Sequence, residues 1–292
     1  MKHDVIVIGG SYSGMAAALQ LIRARRRVLI VDAGQRRNRF ASHSHGFLGQ
    51  DGVDPAVIWA TAREQLLRYP TLIWIEETAT TAGGVTDDFH ITLEDGSCHE
   101  GRRLLLATGV RDQLPQIPGL AERWGRSVFQ CPYCHGYELN MGRIGVIAAG
   151  PMSLHQAQML PEWGEVTLLT NSAVQPDDAV RANLAARGVS IEETPVVALE
   201  GEAELRLSDG RLLSFAGLFT ASRAVPGPLA GMLGCALVEN PLGQQIHTAE
   251  TNETTVPGIF ACGDTAKAPH SVSLAVGDGA WAGAQLHRSL LV

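Results

Sequence analysis

No apolar stretch in this sequence approaches the about 20 residues that a helix needs to cross a bilayer, so no helical membrane span is expected. The opening Met1-Lys2-His3-Asp4-Val5 lacks the succession of basic, apolar and small residues that marks a secretory signal. The expected location is therefore cytoplasmic. Basic residues are also short: 23 Lys and Arg stand against 30 Asp and Glu, a formal net charge of -7. A polyanion gains nothing from such a balance, which argues against nucleic acid and anionic membrane as partners. Cysteine is scarce and odd in number, with Cys98, Cys131, Cys134, Cys235 and Cys262. That count, with no export signal, does not suit a framework of structural disulfides. A second Cys-x-x-Cys is missing, so a four-ligand zinc site lacks its other half and no metal is expected. Low-complexity segments are absent.

The chain that remains is an ordinary globular one of 292 residues, 45% hydrophobic and 18% charged. At roughly 100–200 residues per domain, it holds about two domains. Val5-Ile6-Val7-Ile8 is a continuous apolar run rich in β-branched residues, the pattern of a buried parallel strand. A Gly-rich turn follows, then a helix over 15–22 and a second strand, Val28-Leu29-Ile30-Val31, ending at Asp32. This is one βαβ unit. Residues 33–55 are polar and rich in Arg, His and Gly, and read as a long functional loop. Residues 56–67 look helical, and 72–77, 89–93 and 104–107 look like strands.

The same architecture recurs from Ile144: strand 144–147, turn 148–153, helix 154–163 and strand 166–169. Pro115 and Pro118 mark one linker, and Pro241-Leu242-Gly243 a second. Residues 259–261 read as a last short strand and 272–290 as a closing helix, with Gly277-Asp278-Gly279 expected at a helix opening. The expected fold is α/β, with two Rossmann-like three-layer nucleotide-binding domains, the second inserted into the first. The expected boundaries are 1–113, 114–243 and 244–292.

Gly9-Gly10-Ser11-Tyr12-Ser13-Gly14 sits where a turn can bring backbone N–H groups and a helix N-terminus to a pyrophosphate. Gly9 suits the tight turn and Gly14 the close helix–strand approach. Ser11 replaces the middle glycine of G-x-G-x-x-G. Asp32, 18 residues past Gly14, is placed to bind a ribose hydroxyl. Near the other end, Gly263-Asp264 can point a carboxylate at polyol hydroxyls, or Asp264 can serve as a plain helix cap.

Cys131-Pro132-Tyr133-Cys134-His135-Gly136-Tyr137-Glu138 is the most informative stretch. A two-residue spacing allows a disulfide across one helical turn and a lowered thiol pKa. His135 could accept and return a proton. Zinc ligation, a glutaredoxin-type site and two inert buried thiols are competing readings. Cys98, Cys235 and Cys262 read as structural.

With these residues in order, the chain resembles low-molecular-weight thioredoxin reductases over nearly its whole length. The Gly9 turn, Ala107-Thr108-Gly109, the Cys-x-x-Cys and Gly263-Asp264 carry the resemblance. Closer still is a subgroup that includes dithiol oxidases of gliotoxin- and holomycin-type products, and reductases whose donor is ferredoxin or unknown. That likeness rests on Cys134-His135-Gly136-Tyr137-Glu138 and on Arg37-Asn38-Arg39-Phe40 leading to His43-Ser44-His45-Gly46-Phe47-Leu48-Gly49.

The resemblance implies FAD as cofactor, a homodimer, and a dithiol or disulfide substrate, either a small molecule or a thioredoxin-like protein. It implies that Cys134 faces the flavin and Cys131 exchanges with substrate. The implied FAD contacts are Gly9, Ser11, Tyr12, Ser13, Gly14, Asp32, Ala33, Asn38, Arg39, His45, Ala107, Thr108, Gly109, Gly263, Asp264, His270 and Ser271. His135 stands where the family has an acidic residue, and His270-Ser271 where it has Arg-Gln.

The inserted unit departs from the NADPH pattern. Ala148-Ala149-Gly150-Pro151-Met152-Ser153 stands in place of G-x-G-x-x-A, and Thr170-Asn171-Ser172 in place of His-Arg-Arg. Ala148 carries a Cβ where none fits well, Pro151 lacks an N–H, and the forked guanidinium suited to phosphate is missing. Arg181 and Arg187 follow and could compensate. The expected activity is FAD-dependent dithiol–disulfide exchange without efficient NADPH use. The alternatives are an NADPH- or ferredoxin-dependent reductase and a flavin-bound redox sensor without turnover.

Overall fold

The computed structural model describes residues 2–291. Contacts divide the chain into two compact units. The first runs through Arg39, Phe47–Arg111 and from Ala224 onward; the second comprises Phe40–Gly46 and Asp112–Arg223.

In the first unit the apolar run becomes a strand, His3–Ile8, buried along its whole length. It pairs in parallel with Val28–Val31, Val5 opposite Val28 and Ile8 opposite Val31. Among the described residues the sheet has seven strands, with Leu72–Ile75 at one edge and an antiparallel meander, Ala79–Val85, Asp88–Leu93 and Cys98–Leu106, toward the other. The last of these serves two partners on one side. Its early residues pair with Asp88–Leu93, and Leu104–Leu106 pair in parallel with Ile259–Ala261.

Strand alternation splits the core into two layers. Val5, Val7, Val28 and Ile30 pack on the helices Tyr12–Arg23 and Val272–Ser289 through Ala17, Leu21, Ala282 and Leu286. Ile6, Ile8, Leu29 and Val31 face the other way, against Phe89, Ile91 and Leu229. Each such side chain fully removed from water contributes about 1.5–3 kcal/mol.

The second unit repeats the plan. Five parallel strands run in the order Ser190–Glu192, Glu165–Leu169, Arg143–Ile147, Gly217–Thr220 and Val128–Phe129. One face carries the helices Met152–Met159 and Asp178–Ala186. The other is covered by an antiparallel sheet of Val196–Glu200, Glu204–Leu207 and Leu212–Ser214. The fold is thus α/β with two Rossmann-like three-layer units.

Three expectations are corrected. The return to the first unit comes at Ala224, not at 244, because Leu229, Ala230 and Cys235 join the cluster built on Ile6 and Ile8. Pro241-Leu242-Gly243 is no linker but the turn of a hairpin between Leu237–Asn240 and Gly243–Ile246. There Asn240 Oδ1 accepts from the Leu242 N–H at 2.7 Å, a side-chain turn that imitates a linker in composition. Gly277-Asp278-Gly279 does not open a helix. That helix starts at Val272 with Ser271 as its cap, and Asp278 Oδ2 accepts the Gly263 N–H at 2.8 Å.

Candidate active site

The first unit places a Gly-rich turn between its first strand and first helix. Gly9 has φ +108° and a Cβ there would lie 2.2 Å from the Ala107 carbonyl oxygen. A Cβ on Gly14 would lie 1.9 Å from the Gly9 carbonyl oxygen. The turn is therefore closed to any side chain at either position. Ser11 takes the N-cap place in front of Tyr12–Arg23.

Tyr12 is buried; its hydroxyl donates to the Pro55 carbonyl at 3.4 Å and accepts from Asn38 Nδ2 at 3.1 Å. Burial pushes the Tyr12 phenol up, and the Asn38 hydrogen bond offsets part of the rise. Ser13 hydrogen-bonds Cys262, whose thiol is pushed up chiefly by burial and further by the Asp278 charge.

Asp32 is buried at the end of Val28–Val31 and lines a cavity of about 310 Å³ with Ala33, Gly34, Arg36, Trp59 and Glu77. The Arg36 guanidinium lies 4.7 Å over the Trp59 ring. Asn38 Oδ1 and Glu77 Oε2 are buried without a hydrogen-bond partner. An orphaned acceptor of this kind costs about 1–3 kcal/mol, so both call for a donor from outside the protein. On the opposite side of the sequence, Arg37 Nη1 meets Asp264 Oδ2 at 2.9 Å and His270 Nδ1 at 2.7 Å. Gly109 turns with positive φ directly after Ala107-Thr108, and Thr108 Oγ1 donates to Thr265 Oγ1 at 3.5 Å. Arg39 Nη1 donates to the Arg36 carbonyl at 2.7 Å. A turn closed to side chains at Gly9 and Gly14, a buried carboxylate and orphaned acceptors fit a dinucleotide with hydroxyl and amine donors, which FAD has.

All the expected cofactor residues fall in this unit except His45. The segment Phe40–Gly46 belongs to the second unit, and His45 Nε2 lies 3.4 Å from Glu138 Oε1. Arg37, Arg36, Trp59 and Glu77 were not picked out from the sequence as contacts. The run Arg36-Arg37-Asn38-Arg39 directly after strand and turn was the available signal.

In the second unit Cys131 caps the one-turn helix Pro132–His135, with Cys134 inside it and both cysteines partly exposed. The Cys134 N–H donates to the Cys131 carbonyl at 3.2 Å. His135 stacks on Phe129 with ring centroids 4.2 Å apart, and Phe129 in turn meets Phe219 at 5.8 Å. Burial lowers the His135 pKa to about 4; Glu138 opposes this and His45 adds to it. At neutral pH His135 is therefore an uncharged imidazole. Among the described residues, no group of three or more His, Cys, Asp or Glu is arranged to hold a metal. None of the described helices is long and apolar enough to cross a membrane.

In the turn at Ala148–Ser153 one backbone donor is taken from within: Ser153 is fully buried and its Oγ accepts the Ala149 N–H at 3.0 Å. Asn171 and Ser172 have positive φ, and Asn171 Oδ1 accepts the Val196 N–H at 3.0 Å. Arg181 pairs with Glu193, and Arg187 meets Glu162 at 3.2 Å and the Gln158 carbonyl at 2.6 Å.

Known proteins are similar to this chain along nearly their whole length. An oxidoreductase from Agrobacterium tumefaciens superposes with a TM-score of 0.97 at 56% identity, covering 100% of this chain and 99% of that one. The crystal structure of HlmI superposes with a TM-score of 0.91 at 34% identity, covering 99% and 93%. Thioredoxin reductase tcpT of Claviceps purpurea is 32% identical over 99% of this chain and 94% of its own length. These likenesses define a thioredoxin reductase-like, FAD-dependent disulfide oxidoreductase. The chain belongs to the pyridine nucleotide-disulphide oxidoreductase family, whose model matches residues 3–279.

Proposed function

We propose that the protein exchanges electrons between dithiol substrates and FAD through Cys131 and Cys134, and that its inserted unit does not use NADPH efficiently. In this reading the first unit is the FAD domain and the second is a pyridine-nucleotide-type domain that has kept its fold. The Gly9–Gly14 turn and Asp32 would hold FAD, and Glu77 and Asn38 would offer it acceptors. Arg37 holds Asp264 and His270 on the approach to the helix at Ser271. A flavin contact at His45, which lies beside Glu138, belongs to the same reading.

In the oxidative direction a substrate thiolate attacks Cys131 Sγ of the paired cysteines. The Cys131–Cys134 bond breaks, a mixed disulfide forms on Cys131, and Cys134 leaves as thiolate. The second substrate thiolate then breaks the mixed disulfide, closing the substrate disulfide and releasing Cys131. The pair has gained two electrons. A bound FAD supplies the two-electron partner that returns the pair to the disulfide. His135, uncharged at neutral pH, can take a proton from a neighbouring thiol, and the Glu138 charge favours that uptake. The direction of net flow follows the relative potentials of the couples.

The observation that carries the NADPH part is the loss of free backbone donors in the Ala148–Ser153 turn of the second unit. The Ala149 N–H is already bound by Ser153, Pro151 has none to give, and Arg181 and Arg187 are tied to acidic partners. A 2′-phosphate is left without the bidentate guanidinium it favours. Anaerobic stopped-flow mixing tests this: dithiothreitol should bleach the flavin, and NADPH at micromolar concentration should not. Rapid bleaching by NADPH would overturn it and favour the reductase direction, which the likeness to the thioredoxin reductase of Claviceps purpurea supports. The family likeness also supports a homodimer, which light scattering checks.

A further inference from the structure

The helix that bears the cysteines, Pro132–His135, has four residues. Helices this short do not fix their own position, so Cys131 must be placed by what grips its entry at Gln130. Two grips meet there. Gln156, only 5% exposed on the helix Met152–Met159, donates from Nε2 to the Gln130 carbonyl at 2.9 Å. The Gln130 side-chain amide lies 2.9 Å from Ser222 Oγ, which in turn lies 2.6 Å from Asp112 Oδ1. The Gln130 atom is the acceptor Oε1, so the single proton of the Ser222 hydroxyl stands between two acceptors, Gln130 Oε1 and Asp112 Oδ1.

The second amide atom of Gln156 sharpens the point. Its Oε1 is buried without a hydrogen-bond partner, a standing cost that a Met or Leu of similar size would not carry. The N–H donor is thus the part of Gln156 that the fold uses. The helix beneath is itself fixed, because Ser153 Oγ closes the turn at its start.

We infer that Gln156 is a positioning residue for Cys131: with Ser222 and Asp112 behind Gln130, it holds the Gln130–Cys131 peptide so that Cys131 Sγ, rather than Cys134 Sγ, meets the incoming thiolate. The inference rests on the redox reading of the pair. Exchange requires the attacking and leaving sulfurs to be in line, and a displacement of about 1 Å can cost up to about a hundredfold in rate.

The test uses the oxidised flavoprotein, reacted anaerobically with glutathione, acid-quenched and mapped by mass spectrometry. In the wild type the mixed disulfide should sit on Cys131. Gln156→Met and the near-isosteric Gln156→Glu, neither of which offers an N–H, should form it at least about tenfold more slowly. Both should also divide it between the two cysteines. A purely structural role would lower thermal stability without moving that division. Ser222→Ala, which leaves Gln156 in place, should shift the division in the same direction by a smaller factor and stands in should the Gln156 variants fold poorly. Wild-type rate and division in the variants would overturn the inference while leaving the pair's role intact. Retention of both by Gln156→Met would also overturn it, since volume rather than the N–H would then suffice. No mixed disulfide on either cysteine of the wild type would instead remove the redox reading itself.

Discussion

The imidazole of His135 lies nearly flat on the ring of Phe129, centroids 4.2 Å apart and planes 19° apart. The stack explains why a histidine next to a redox cysteine is uncharged at neutral pH. A ring packed against an aromatic face loses the water that would solvate its cation, and the pKa falls to about 4.

Stability should therefore depend on pH in a definite sense. The native state favours neutral His135, whereas the unfolded chain binds a proton near the ordinary value of 6.5. The unfolded state holds more protons between those values, so stability rises with pH across the window. His135 contributes nothing to the slope above about 6.5, and the loss is complete near pH 4. Its size is at most about 3 kcal/mol, and less as far as water reaches the ring. Urea titrations of wild type and His135→Gln between pH 4 and 7 should show a shallower slope in the variant. Equal slopes would contradict His135 as the cause.

Glu138 is the charge that opposes burial at His135. Glu138→Gln should lower the His135 pKa further and slow dithiol-driven flavin reduction at neutral pH. The pH–rate profile should move with it. An unchanged profile would show that His135 takes no part in proton transfer.

A methyl group at Gly14 would stand 1.9 Å from the Gly9 carbonyl oxygen. Backbone cannot yield that far, so Gly14→Ala should be isolated with far less than one flavin per chain, read from the ratio of visible to ultraviolet absorbance. Full flavin content in that variant would mean that FAD does not lie along this turn.

Arg37 joins Asp264 and His270. Its replacement by Leu leaves a partly buried carboxylate without its cation, a loss of roughly 3–5 kcal/mol for a fully buried pair and less here. Arg37→Leu should release flavin at least about tenfold faster on dilution, measured by the rise in flavin fluorescence. Release at the wild-type rate would exclude the cluster from the site.

Much of this was legible in the chain itself, for physical reasons that differ by segment. Val5–Ile8 and Ile144–Ile147 are buried on both faces, so their apolar runs announce parallel strands without tertiary help. The Cys-x-x-Cys is local by nature. The meander strand Ala79–Val85 was not, since Gly83 and Gly84 hide a strand whose partners alone define it. Segment 40–46 read as part of the first domain because its neighbours on both sides are, yet His45 finds Glu138. Gln156 gave no signal: its partner is a backbone carbonyl 26 residues away, which no spacing rule reaches.

The most direct measurement is anaerobic mixing with dithiothreitol, following the visible flavin band in wild type and Cys134→Ser. We expect bleaching in the wild type and a flavin that stays oxidised in the variant. Equal bleaching in both would show that electrons reach the flavin without the cysteine pair.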